Sequence, residues 1–364
     1  MENRCTVGII ANPASARDIR RIVAHGGSTT THDKLNTLQR VLAGLASVGI
    51  ERVISMADRG GISAGLVHLA GRTSAAGWPA IELIDQEITQ TATDTTAATK
   101  AMVDAGVGAI VVLGGDGTNG VVARSSDDVP LVSISTGTNN AFPRPVEPTV
   151  AGLAAGLVAT NTSSHRVGTY RAKKLVVRCG DFIEEALVDV AIAAVAGVGA
   201  GAVWDGESVS EVYLCFAESD VIGLSAIGGH IRPTSRRSPT GLALVLDSDA
   251  DTVVRAPIAP GLFPKIGVVS ARSIEPCVRL DILSGSGVIA VDGERRFRFG
   301  PQSRPHVTLS PLGPVVVDVR ATLEHAALSG LLARTTPAAS RLATAHPDNT
   351  YFSASTTEPT EVTT

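Results

Sequence analysis

The sequence predicts a two-domain mixed α/β protein: an N-terminal doubly wound parallel-sheet domain and a C-terminal β-rich, sandwich-like domain. Three observations carry this expectation. Up to about residue 160, short apolar runs alternate with segments of helical period, as in a parallel sheet covered on both faces. Near Asn161-Thr162-Ser163-Ser164 the pattern changes to strand-like runs joined by turns. Between the two regimes, the apolar run 109–113 ends abruptly in Gly114-Gly115-Asp116-Gly117-Thr118, the signature of a strand, a tight turn and a helix.

In order along the chain, residues 7–11 form the first strand. Residues 32–48 form a helix, with Leu35, Leu38, Val41, Leu42 and Leu45 on one face. Residues 53–56 and 80–84 are the second and third strands, and Asp94 is placed to N-cap a helix running to 103. The strand 109–113, a helix from Thr118, the strand 131–135 and a helix over 150–158 complete the first domain, each crossover being right-handed. Strands are expected next at 175–179, 182–190, 212–216, 242–246, 278–283, 287–292, 307–310 and 315–319, then a short helix at 323–332. The resulting boundaries are 1–165 for the α/β domain, 166–312 for the β-rich domain, 313–334 for a last segment, and 335–364 for a tail rich in Thr, Ser, Ala and Pro that is expected to be disordered.

The chain has 364 residues, of which 44% are hydrophobic but only 3% aromatic, so its cores must be built from Val, Ile, Leu and Ala. A formal net charge of −4 gives no electrostatic reason to expect nucleic acid or an anionic membrane as partner. The long apolar stretch 190–204 falls short of the ~20 residues needed to cross a bilayer. Four separated cysteines form no CxxC pair, which points to reduced thiols rather than a zinc site or disulfide framework, and the N-terminus lacks the shape of a signal peptide. A cytoplasmic protein is the expectation.

The glycine turn is the chemical centre of the sequence. Glycines allow backbone N–H groups to approach an anion closely, and Asp116 lies among them at the carboxyl end of a strand, where open α/β sheets bind ligands. Gly115, Gly117 and Gly120 also satisfy the G-x-G-x-x-G spacing of dinucleotide-binding turns. Two details argue against a hydride-transfer enzyme: Asp116 would set a negative charge beside a pyrophosphate, and the strand 131–135 is not followed by a ribose-binding acid. That strand leads instead into the polar turn Thr136-Gly137-Thr138-Asn139-Asn140, and the chain contains no Walker A lysine loop.

The pair GGDGT (114–118) and TGTNN (136–140) resembles the NAD kinase and diacylglycerol kinase superfamily. Further resemblances occur in order. Asn12-Pro13 after the first strand is similar to the family's first turn. Ala186-Leu187-Val188-Asp189 resembles the "ALNE" strand of NAD kinases, Ser238-Pro239-Thr240-Gly241 their "TPTGS" loop, and Asp292-Gly293-Glu294 the late "DGE" of the lipid kinases. The segments around Asn12-Pro13-Ala14-Ser15 and Thr138-Asn139-Asn140-Ala141-Phe142-Pro143 look like the NAD-kinase-like subgroup named after acetoin catabolism protein X. Two departures, Val188 in place of the "ALNE" asparagine and Leu242 in place of the serine after Pro-Thr-Gly, bear on the acceptor's identity.

The resemblance implies an ATP- and Mg²⁺-dependent kinase that phosphorylates the adenosine-ribose 2′-hydroxyl of NAD(H). The alternatives are a kinase of another small hydroxyl compound, or a non-catalytic nucleotide sensor with the same fold, linked to acetoin catabolism. It implies that Asp116 or Glu294 is the base, Asp116 being favoured, and that Asn12, Gly114, Gly115, Gly117, Thr118, Thr136, Thr138, Asn139, Asn140, Asp189, Thr240 and Gly241 bind the nucleotide and acceptor. No dedicated protein metal site is expected, since Mg²⁺ keeps waters and needs few carboxylates. The resemblance further implies that segment 313–334 returns to the first domain, and that the protein is a homo-oligomer, a dimer or tetramer. Each residue also has a plain structural role open to it. Asp116 could N-cap a helix, Glu294 could belong to a hairpin turn with a solvated ion pair, and Asp189 could have a basic partner. Arg232, Arg236 and Arg237 could bind phosphate or decorate a solvated loop. The G-x-S-x-G match at Gly61, Ser63 and Gly65 lies too far from the preceding strand for a nucleophile elbow, and the dispersed histidines show no metal spacing.

Overall fold

The computed structural model describes residues 5–15, 27, 29–72, 77–160, 168–194 and 208–333. The switch near 161–164 and the tail at 335–364 therefore lie outside the described residues. The chain divides into two compact units, Met1–Leu323 and Glu324–Thr364. The first holds both sheet systems; in the second, the described residues continue a helix as far as Leu328 and end in a turn.

The first sheet is built from β1 (Thr6–Ala11), β2 (Arg52–Ser55), β3 (Ala80–Leu83), β4 (Ala109–Gly114), β5 (Leu131–Ser135), β6 (Thr169–Arg171) and β18 (Val315–Val317). Its order is β3-β2-β1-β4-β5-β18-β6, parallel throughout except for the last pair. The interstrand helices are α1 (Thr31–Ser47), α2 (Ile62–Arg72), α3 (Ala92–Asp104), α4 (Asp116–Ala123) and α5 (Pro148–Thr160). β1 and β4 are buried at all positions, as expected for central parallel strands covered on both faces. One face of the sheet packs Val7, Ile9, Val111 and Leu113 against Leu38, Leu42 and Leu45 of α1 and Ala151, Ala155 and Val158 of α5. The other packs Ile10, Ile110 and Val112 against Ala98 and Met102 of α3. Helices α1 and α5 touch through glycines: a Cβ on Gly44 would lie 2.3 Å from the Thr149 carbonyl oxygen, and one on Gly152 would lie 2.2 Å from that of Val41.

The β-rich part is a sandwich. Its larger layer runs β12-β13-β11-β10-β9-β15-β16, and the smaller runs β14-β17-β7-β8. The ranges are β7 (Lys174–Cys179), β8 (Phe182–Ala186), β9 (Asp189–Ala193), β10 (Val209–Leu214), β11 (Gly241–Leu246), β12 (Val253–Arg255), β13 (Lys265–Ile274), β14 (Arg279–Asp281), β15 (Gly287–Val291), β16 (Glu294–Phe299) and β17 (His306–Ser310). Leu175, Val177, Val190, Ile192, Tyr213, Ile289, Val307 and Leu309 fill the space between the layers. The outer face of the larger layer is covered by α6 (Leu224–Ile231) through Ile227 and Ala226.

Several expectations are corrected. Residues 182–190 are two strands, because the chain leaves the small layer after Ala186 and joins the large one at Asp189. Thr169–Arg171, assigned from sequence to the second domain, is the edge of the first sheet, beside β18. The cap of α3 is Thr91, whose side chain accepts from Thr93 N–H, and Asp94 instead accepts from the Thr89 and Gln90 N–H groups at 2.9 and 2.8 Å. Helix α4 starts at Asp116, two residues earlier than expected. The strand at 315–317 does return to the first sheet, pairing in parallel with β5, and α7 (Val319–Leu328) comes directly after it.

Candidate functional site

The strand order places the topological switch between β1 and β4, whose chains diverge beyond their carboxyl ends, the position at which open α/β sheets bind ligands. Gly115 is the N-cap of α4 and no side chain caps the first turn. Asp116 opens the helix and its carboxylate is held from outside it. Ala141 N–H donates to both of its oxygens at 3.0 and 3.1 Å, and Phe142 N–H to Oδ1 at 2.8 Å. Asp116 is half-buried.

The other residues of the first domain expected at the site gather on the same sheet edge. Asn12, after β1, donates from Nδ2 to Thr118 Oγ1 at 3.0 Å, while its Oδ1 accepts from Ala14 N–H at 2.8 Å. Thr136 Oγ1 bonds Ser15 Oγ at 3.0 Å, and its carbonyl accepts from the Thr29 hydroxyl. Thr138 Oγ1 accepts from Gly27 N–H at 3.1 Å. Asn140 donates to Ser135 Oγ at 2.9 Å, and its Oδ1 lies 2.6 Å from where a Cβ on Gly115 would sit, so only glycine leaves room for that amide. Gly114 is similarly closed by Thr118.

The β-rich part supplies the opposite wall. A cavity of about 20 Å³ is bounded by Asp116 and Asn139 on one side, and by Val188, Asp189, Gly223 and Asp292 on the other. Asp189 begins β9 and is 5% exposed. Asp292 and Gly293 take positive φ values of 48° and 77°, which form the tight turn between β15 and β16. The Asp292 carboxylate accepts from the N–H groups of Leu187 (3.1 Å), Val188 (2.8 Å) and Asp189 (3.3 Å), the donors released where β8 gives way to β9. Burial, reinforced by the neighbouring Asp189 and Asp116 charges, pushes the Asp292 carboxyl up to about 8 despite those donors.

Glu294, the first residue of β16, is exposed and ion-paired with Arg296 at 2.8 Å. Its Oε1 lies 3.6 Å from the Cβ position of Gly117, and Asp292 Oδ2 lies 3.5 Å from that of Gly120. The Asp-Gly-Glu turn thus leans on the glycine face of α4, and both candidate bases reach the same helix.

Thr240 and Gly241 are not brought to this cavity. Their turn wraps the buried Lys173, whose ammonium donates to the carbonyls of Ser238 (2.6 Å), Thr240 (2.7 Å) and Ser235 (3.3 Å). Desolvation lowers that lysine to about 8. The loop that lines the cavity in their place is Ile222-Gly223-Leu224, leading into α6. The arginines have protein partners as well. Arg232 donates to the Ala271 carbonyl, Arg237 to Asp318, and Arg236 to Glu218 and to the carbonyls of Ala141 and Phe142. Sequence reasoning missed the cavity roles of Asp292 and of the 222–224 loop. The first had a signal, the Asp-Gly turn; the second had only a glycine before an apolar helix.

Residues 7–162 match the family model of the ATP-NAD kinase N-terminal domain, and residues 173–311 match that of the acetoin catabolism protein X C-terminal domain. Acetoin catabolism protein X of Cupriavidus necator is 42% identical over 329 residues, covering 88% of this chain and 92% of that protein. The chain belongs to the acetoin catabolism protein X family. This family member therefore couples an NAD-kinase-like first domain to a β-rich domain with a model of its own, and the cavity bounded by Asp116 and Asp189 lies between the two matched regions. Among the described residues, no helix is long and apolar enough to cross a membrane.

Proposed function

We propose that the protein is an ATP-dependent phosphotransferase with an alcohol as acceptor, and that the adenosine-ribose 2′-hydroxyl of NAD(H) is the first acceptor to test. The observation that carries this reading is the Asp116 carboxylate, fixed by two backbone donors at an α4 N-terminus that no side chain caps, and facing Asp189 across a cavity. The uncapped first turn suits the phosphates of a nucleotide, with Asn12 and Thr118 beside it. Magnesium carried by those phosphates would offset their negative charge.

The chain's own residues do the rest. Asp116 accepts the proton of the acceptor hydroxyl, and its two amide donors keep the receiving oxygen in place. Asp189 accepts from a second hydroxyl and orients the first. Glu294, near the start of α4, is the competing base.

One observation favours a second acceptor class. Val188 is 2% exposed on the cavity wall and offers no side-chain amide to a dinucleotide, while Asp116, Asp189 and Asp292 make the cavity acidic. Both features suit another small hydroxyl compound, its hydroxyls donating to the carboxylates.

The test is ADP release by purified protein with ATP-Mg²⁺ and a panel comprising NAD⁺, NADH and small alcohols. Turnover with a panel member that falls by about 10²–10⁴ in Asp116→Asn supports the reading. Loss in Glu294→Gln with retention in Asp116→Asn moves the base to Glu294. Tight ATP binding without turnover on any acceptor overturns the phosphotransferase.

A further inference from the structure

We propose that Arg236 is a positioning residue for Asp116, acting through the peptide unit between residues 141 and 142, whose N–H helps to hold the carboxylate. The inference rests on the reading of Asp116 as the proton acceptor. Ala141 and Phe142 donate their N–H groups to Asp116. The carbonyls of the same two residues accept from Arg236, Nη2 to Ala141 O at 3.1 Å and Nη1 to Phe142 O at 3.0 Å. The peptide joining 141 to 142 therefore carries a guanidinium on its oxygen and a carboxylate on its N–H. A cation on a carbonyl draws electron density from the attached N–H and strengthens its donation, so the arginine acts on the carboxylate through the peptide bond.

The guanidinium is itself immobilised. Nε donates to Glu218 Oε2 at 2.9 Å, the Arg236 backbone N–H donates to Glu218 Oε1 at 3.1 Å, and the guanidinium lies 4.4 Å above the Phe216 ring. The arginine and glutamate side chains are 11% and 14% exposed, so solvent screens the pair weakly. The turn that carries Arg236 is pinned in turn by Lys173. The acids nearest Asp116 are Asp189 and Asp292, which line the same cavity, and Glu294 beside Gly117. Arg236 supplies a positive charge beside them, and the Arg144 side chain pairs with Glu218 at 2.7 Å.

The experiment is a ¹³C-carboxyl NMR titration of Asp116 in the full-length protein, read beside kcat and KM. In Arg236→Met the Asp116 midpoint is expected to rise by about one pH unit, a tenfold change in proton affinity. With an active acceptor, kcat is expected to fall about 10-fold with KM changed less than about twofold. Arg236→Lys keeps the charge beside Glu218 but loses the planar fork, and is expected to show a smaller shift in the same direction. It decides the matter alone if the methionine variant does not fold. Arg144→Ala removes the exposed partner of Glu218 and is expected to move neither readout. An unchanged midpoint in the Arg236 variants, or an equal shift in Arg144→Ala, overturns the proposal. The titration needs no turnover, so an inactive wild-type protein would defeat the phosphotransferase reading while leaving the positioning role to be decided by the midpoint.

Discussion

Replacing Asp292 by asparagine should abolish the loss of stability that the wild-type protein suffers as the pH rises from 4 to 9. The Asp292 carboxyl is raised from 3.8 to about 8, by burial first and then by Asp189 and Asp116. Between those values the unfolded chain has lost the proton and the folded protein keeps it, so stability falls with rising pH by about 1.4 kcal/mol per unit. The full rise bounds the loss at about 6 kcal/mol. Relaxation around the cavity reduces the realised figure to roughly 2–3 kcal/mol. Asparagine retains an oxygen for the Val188 and Asp189 donors and carries no charge to desolvate, while its amide nitrogen replaces the oxygen that accepts from Leu187 N–H, a cost independent of pH. Urea unfolding of wild type and Asp292→Asn between pH 4 and 9 should show the variant gaining steadily on wild type as the pH rises. A stability difference that stays constant across that range would refute the idea that burial beside two acids governs this carboxyl.

Other expectations concern separate parts of the molecule. Lys173→Met leaves the carbonyls of Ser235, Ser238 and Thr240 without their charged donor and should cost about 1–3 kcal/mol in urea unfolding, with a parallel fall in turnover because the Arg236 turn is released. Gly44→Ala drives a methyl against the α5 backbone and should cost about 1–3 kcal/mol. By contrast, Arg52→Ala, which breaks an exposed pair with Glu82, should change stability by no more than about 1 kcal/mol. Gly117→Ala, measured by the acceptor assay, should retain more activity than Gly115→Ala. A Cβ at 117 meets Glu294 at an ordinary 3.6 Å, whereas one at 115 lies 2.6 Å from the Asn140 amide oxygen.

The first domain was readable because its signals are local. Asn12, the glycine turn and Thr136 to Asn140 each come after an apolar run, and parallel connectivity alone brings those three turns to one edge. The opposite wall was not readable because its bonds are long-range. The break between β8 and β9 looks continuous in residues 182–190, since the donors it frees are served by a side chain more than one hundred positions later. The long strand β13 was missed because much of it is exposed and its polar residues keep no strict alternation. Helix α2 contains two glycines and lacks a strong start signal, so its helical period was weak. The Ser-Pro-Thr-Gly turn drew attention by its resemblance, but its carbonyls converge on Lys173, a contact that spacing could not reveal.

Strands β6 and β18 lie side by side at the margin of the first sheet, and the whole sandwich is threaded between them. Its chain therefore departs and comes back through neighbouring doors. A module mounted in this way can be swapped for another in a single genetic event without rewiring its host, so the parallel-sheet half could persist while the sandwich half diversified.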